Sequence, residues 1–184
     1  MPPPKEDPTR YFALSSPVQT TDASKRSAGL AIGLTQIDVP SYLRTTKAMI
    51  VRRSEHEIGY NEYARWAEPL EAGILEMVRT GLLGSEGVQT VLTPPYAMGA
   101  ARDYELHLQV LRCEGSVSPD GRHTALFAAS YELVPTTPGA RPALAGIYRS
   151  DQGTWNGSDY GQLASQLSAA AVGMGQEIAS KVRQ

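Results

Sequence analysis

Apolar and polar residues alternate most cleanly from Tyr104 to Val110, where Tyr104, Leu106, Leu108 and Val110 are separated by Glu105, His107 and Gln109. A period of two puts the four apolar side chains on one face of a strand and the polar ones on the other. Ser118-Pro119-Asp120-Gly121 follows; proline presets φ and glycine accepts a positive φ, so the segment predicts a turn and the chain a hairpin. The return strand carries Phe127, Ala129, Tyr131 and Leu133 on one face. Thr137-Pro138-Gly139 then turns the chain into a third strand containing Leu144, Gly146 and Tyr148.

The period changes at Arg65-Trp66-Ala67-Glu68-Pro69-Leu70, where an extended segment gives way to a helix. Proline has no N–H to lose at the first helical position and pushes Glu68 out of helical geometry, so the helix is predicted to start at Pro69. Leu70, Ile74, Met77, Val78 and Leu82 recur at helical spacing, and Gly81 and Gly84 read as stop signals. A second helix is predicted from about Ser158, as N-cap, to Val182, with Tyr160, Leu163, Leu167, Ala170, Ala171, Met174 and Ile178 in one stripe. Ala170 and Ala171 let its backbone approach a sheet, while Gly173 and Gly175 each cost it about 1 kcal/mol relative to alanine.

Shorter signals fill the N-terminal half. Residues 1–9 form a Pro-rich, polar leader, and residues 10–184 read as one domain. Tyr11 to Leu14 predicts a buried strand, 15–28 a loop, and Leu30, Ile32 and Leu34 a second strand; Val39 to Leu43 is a turn or a single helical turn. Ala48 to Arg53, with Met49 and Val51 on one face, is expected to pair with Glu57 to Tyr63 across Ser54-Glu55-His56. Gly87 to Leu92 is a strand ended by Pro94-Pro95, and the helix between flanking strands suggests a crossover unit. The order of elements predicts an α/β protein in the α+β sense, a mixed and largely antiparallel sheet with two main helices.

Composition narrows the function classes. A net charge of -2 over 184 residues argues against a nucleic-acid protein, and no run approaches the roughly 20 apolar residues that span a bilayer. Cys113 stands alone, so no internal disulfide forms, and it reads as a partly buried strand residue. His56-Glu57-Ile58-Gly59-Tyr60 has tyrosine where a zinc-protease helix needs its second histidine, and His107 and His123 lack a third ligand. Phosphate loops, dinucleotide fingerprints and nucleophile elbows are missing. No catalytic, cofactor or metal residue is therefore assigned.

Pro40-Ser41-Tyr42-Leu43-Arg44, Ile50-Val51-Arg52-Arg53 and the Arg65 to Leu70 block, with Arg10-Tyr11-Phe12-Ala13-Leu14 and the Ser/Ala-rich last helix, resemble the bacterial ABC-type transport auxiliary lipoproteins of the PqiC/YmbA type. Cys113 stands where that family usually has an aromatic residue, and Tyr131 where it commonly has tryptophan. The resemblance implies a fold similar to the TolB N-terminal domain. It also implies a non-catalytic lipoprotein on the periplasmic side of the outer membrane, auxiliary to an MCE-type ABC system that moves lipids between membranes. MCE-domain and ABC transporter proteins would be its partners, and a homo-oligomeric ring its assembly. A signal peptide and an acylated cysteine would have been cut away ahead of residue 1. Trp66 is expected to anchor the strand to the helix start, and Arg65, Trp66 and Glu68, with Tyr42 and Arg44, form the candidate partner interface. The alternative is a periplasmic carrier holding a small molecule or lipid.

Overall fold

A computed structural model describes residues 7–17, 29–151 and 153–182. Residues 1–6 of the expected leader and 18–28 of the expected loop lie outside them. The elements run β1 (Arg10–Phe12), β2 (Leu30–Asp38), α1 (Ser41–Arg44), β3 (Ala48–Arg52), β4 (Ile58–Trp66), α2 (Leu70–Leu83), β5 (Val88–Leu92), β6 (Tyr104–Val117), β7 (His123–Pro135), β8 (Leu144–Arg149), β9 (Gly153–Thr154) and α3 (Tyr160–Val182).

The β6–β7 hairpin is the spine of the molecule. Its ladder runs from Tyr104 opposite Pro135 to Val117 opposite His123, closed by the expected turn, in which Gly121 has a φ of 79° and donates its N–H to the Ser118 carbonyl. With β7 along one edge of β6, the other edge is shared end to end: β2 pairs with Tyr104 to Gln109 and β3 with Gly115 and Ser116, both parallel. β2 and β3 thus follow one line interrupted by α1. β5 extends the sheet beyond β2, in parallel. β4 extends it beyond β3, antiparallel, and carries β1 in parallel as the last strand. The far edge of β7 is divided likewise between β8 and β9. The result is the mixed α+β architecture expected. The crossover differs from the expectation, because α2 leaves β4 on one wing and delivers the chain to β5 on the other.

Both long helices lie on one face of this sheet. Leu106, Leu108, Val110, Phe127, Ala129, Tyr131 and Leu133 point to that side and are buried against Leu163, Leu167, Met174 and Ile178 of α3 and Ile74, Val78 and Leu82 of α2. Apolar side chains of this size each contribute about 1.5–3 kcal/mol on full burial, so the layer between sheet and helices is strongly stabilising.

Three local expectations are corrected. Pro69 is the N-cap, its ψ of 129° being extended, and the helix begins at Leu70. The cap of α3 is Asp159, whose Oδ1 accepts the Gly161 and Gln162 N–H groups at 3.0 and 3.1 Å, while Asn156 Oδ1 receives Ser158 and Asp159 N–H and shapes the approach. Asp159 holds the register that Ser158 would have needed. Gly81 is no stop signal, since α2 continues to Leu83 and Gly84 ends it. A Cβ on Gly81 would stand 2.1 Å from the Val172 carbonyl oxygen, and one on Gly175 2.3 Å from that of Val78, so the two glycines are where the helices cross backbone to backbone.

Candidate interaction surface

The face of the sheet away from the helices is largely bare, and pairing register identifies what it displays. Tyr11 is opposite Arg65, Tyr63 precedes Arg65 by two, and Tyr60 is opposite Ile50, which shares its side with Ala48. Ile147 is opposite Ser130, on the side away from Phe127 and Tyr131. The bulge between Val110 and Arg112 lets Val110 and Cys113 both reach the core and leaves Leu111 outside. Five of the six exposed large apolar side chains among the described residues therefore occupy this face: Tyr11 (63%), Tyr60 (50%), Tyr63 (53%), Leu111 (37%) and Ile147 (66%). It is covered where β3 meets β6, so that Ala48, Ile50 and Glu114 are buried on this side, and again at one corner. There Tyr96 donates its hydroxyl to the Leu34 carbonyl above Gly33, and Arg102 stacks on its ring at 4.3 Å while pairing with Glu105.

At the centre, where β3 meets β6, lies a buried charge cluster. Glu114 has a fully buried side chain; its Oε1 accepts Arg52 Nε at 2.6 Å and Arg112 Nη1 at 2.9 Å. The Arg52 guanidinium lies 5.8 Å from the Tyr42 ring centroid and donates to the Glu55 carbonyl. The Tyr42 hydroxyl is set against the same carboxylate, and neither it nor Glu114 Oε2 reaches a hydrogen bond of normal geometry. Burial first, and the negative charge of Glu114 second, push the Tyr42 phenol up to about 12. A carboxylate cannot stay charged in such surroundings without partners, so two arginines converge on it. On the core side of the same strand, burial holds the Cys113 thiol far above its ordinary value, the condition of a structural thiol.

Between the centre and β8, the sheet forms a shallow trough of about 590 Å³ lined by Gln36, Asp38, His107, Gln109, Ser130, Glu132 and Ile147. His107 sits there with Nδ1 3.3 Å from Thr35 Oγ1. His123 is far away in the ladder, opposite Val117, and stacks edge-on against Trp155, so the two histidines are not neighbours.

The five candidate interface residues do not form one patch. Arg65 is exposed on the bare face, and Tyr42 borders it. Trp66 points to the other side and is buried in the core, its N–H bonded to the Lys47 carbonyl. Glu68, exposed, has its carboxylate beside Gly73 and Leu14, and Arg44 borders a groove with Asp38 and Glu71 near the start of α2. Sequence reasoning missed Tyr11, Tyr60, Tyr63, Leu111 and the Arg52–Glu114–Arg112 cluster. The alternation Tyr63, Ala64, Arg65, Trp66 was the available signal, since burial of Trp66 implies exposure of its two neighbours of opposite parity.

An open α+β sheet, helices on one side and apolar residues on the other, defines the structural class. Comparison places it further: a model of the ABC-type transport auxiliary lipoprotein component family matches residues 12–179, and the chain belongs to that family. Among solved structures it is similar to protein XCC0632 from Xanthomonas campestris, with a TM-score of 0.76 at 14% identity over 95% of this chain and 94% of that one. It is also similar to the hypothetical protein CT253 from Chlamydia trachomatis, with a TM-score of 0.52 at 8% identity over 84% and 96%. Likeness at these identities is likeness of fold. No curated protein matches the sequence. No helix among the described residues is long and apolar enough to cross a membrane.

Proposed function

We propose that this auxiliary transport lipoprotein acts by docking, as the outer-membrane, periplasm-facing component of an MCE-type ABC system for lipid movement between membranes, with no chemistry of its own. The observation that carries the reading is the bare sheet face with Leu111 and Ile147 exposed around a buried, hydrogen-bonded charge cluster. Aliphatic side chains left exposed on β6 and β8 give a partner apolar surface to cover, and arginine and tyrosine are favoured at the centres of such contacts. Tyr42 and Arg65 border this surface and Trp66 supports it from beneath, whereas Arg44 and Glu68 lie apart from it, near the start of α2. Residues 1–9 serve as the tether to a lipid anchor, and copies of the chain assemble as a ring on the transporter partner.

The carrier alternative finds less support. The trough beside β8 is open to solvent, with Asp38, Glu132 and His107 set among Leu108, Ala145 and Ile147, so it does not enclose an acyl chain. The test is to mix the chain with an MCE-domain protein of the same organism and to follow the complex by sedimentation velocity over a concentration series. Leu111→Asp and Ile147→Asp should abolish the complex while leaving the melting temperature in place. Complexes indifferent to both substitutions, or no complex with the MCE protein, would refute the assignment.

A further inference from the structure

Of the apolar residues on the bare face, Tyr11, Tyr60 and Tyr63 stand apart from Leu111 and Ile147, on the wing formed by β1 and β4. Tyr11 and Tyr63 are diagonal neighbours across the parallel β1–β4 pair, and Tyr60 lies further along β4, beyond Asn61, whose side chain accepts the Tyr63 and Ala64 N–H groups where the β3–β4 register shifts. We propose that this tyrosine edge rests on a lipid surface, at the level of the headgroups. The inference rests on the lipid-anchored reading above.

Three arguments favour a membrane over a protein here. Tyrosine is amphipathic, with an apolar ring and a polar tip, and settles where hydrocarbon meets water. Three side chains each about half exposed offer roughly 300–400 Å², about half of the roughly 800 Å² that each partner buries in a stable protein complex. A tethered membrane contact needs far less, because the linker keeps the surface at high effective concentration. The entry point of the chain supplies that condition: the fold begins at Arg10, beside Tyr11, so an anchor on the N-terminal side holds this edge towards the bilayer. The charges around the edge nearly cancel, Arg10, Lys47 and Arg65 against Asp7 and Glu62, so the contact is aromatic in character and should not require anionic lipid.

The test couples the chain, through a cysteine added before residue 1, to a maleimide lipid in phosphatidylethanolamine vesicles with or without phosphatidylglycerol, and reads side-chain exposure by hydroxyl-radical footprinting. Buried Cys113 stays unmodified. Oxidation of Tyr11, Tyr60 and Tyr63 should fall severalfold relative to the uncoupled chain, equally in both lipids, with Met98 and Ile147 unchanged. Tyrosines as reactive on vesicles as in solution would overturn the proposal. Protection spreading to Leu111 and Ile147 would also overturn it, since that pattern marks protein copies meeting face to face, and so would protection that needs phosphatidylglycerol. In the variant Tyr11→Ser/Tyr60→Ser/Tyr63→Ser, the slowing of β1 amide exchange on vesicles should disappear. Because the anchor is supplied chemically, these results are independent of natural acylation, whose own test is uptake of labelled fatty acid by the precursor in cells.

Discussion

Replacing Gly81 by alanine sets two known effects against each other. In a helix interior alanine is favoured over glycine by about 1 kcal/mol, so an exposed site would gain stability. Gly81 is buried, and the new Cβ would stand 2.1 Å from the Val172 carbonyl oxygen and 3.1 Å from the Gln176 nitrogen. Those are backbone atoms of α3, which no rotamer change can move aside, so the helices must separate and loosen the Ile74, Val78, Met174 and Ile178 layer between them. Overpacking of this kind costs about 1–3 kcal/mol, and the absence of side-chain relief puts Gly81 at the upper end. The net loss is then about 2 kcal/mol, or a melting temperature lower by about 4–8 °C in a domain of this size. Gly173→Ala is the control. Its Cβ would meet only the Tyr148 hydroxyl, at 2.9 Å, which swings away, so the propensity gain should survive. Urea unfolding followed by far-UV circular dichroism measures both midpoints. Because Gly175 faces Gly81 at the same crossing, Gly81→Ala with Gly175→Ala should cost less than the sum of the two single changes. A Gly81→Ala midpoint equal to or above the parent's would mean that the helices do not approach as described.

Glu114→Ala strands two arginines, one of them largely buried, and should cost about 3–5 kcal/mol by urea denaturation, with Arg112→Ala, at the more exposed partner, well below that. Tyr42 stays neutral in the folded state up to about pH 12 but ionises near 10 once unfolded, so its contribution is complete below pH 10 and declines as pH rises towards 12; Tyr42→Phe should remove that part of the alkaline loss in midpoints measured across this range. Trp66→Ala should cost about 3–5 kcal/mol in the same assay, as expected for a tryptophan only 5% exposed, and a small loss would mean the core tolerates its absence. Asp159→Ala should cost about 1 kcal/mol and Ser158→Ala far less, which the two melting temperatures can rank.

What the sequence revealed was whatever a local period or a turn residue encodes. Tyr104 to Val110 and Phe127 to Leu133 could be assigned to strands and faces because each repeats with a period of two and a Pro-Asp-Gly turn joins them. The parallel pairings of β2 with β5 and β6 had no such marker, since parallel neighbours are not joined by a tight turn that would give them away. Glycine was ambiguous for a related reason. Gly81 and Gly175 look like a stop and a weak point when each helix is considered alone, and their use appears only when the helices cross. The same holds for the bare face: Glu114 sits in an ordinary strand sequence, and nothing local announces that Arg52, from another strand, will meet it. Trp66 was recognisable as an anchor, yet its neighbours in the block were grouped by sequence adjacency, whereas a strand sends adjacent residues to opposite sides.

The placement of β1 has a mechanical consequence. It joins the sheet through three residue pairs with β4 and one further bond, from the Ala67 N–H to the Phe12 carbonyl. The β6–β7 spine, by contrast, holds thirteen pairs. Tension applied through the N-terminal segment meets the three-pair ladder first, so β1 would peel from β4 while the spine and the helix layer stay intact. A domain loaded in this way yields at its edge and keeps its working surface folded, and β1 can re-form against β4 when the force is released.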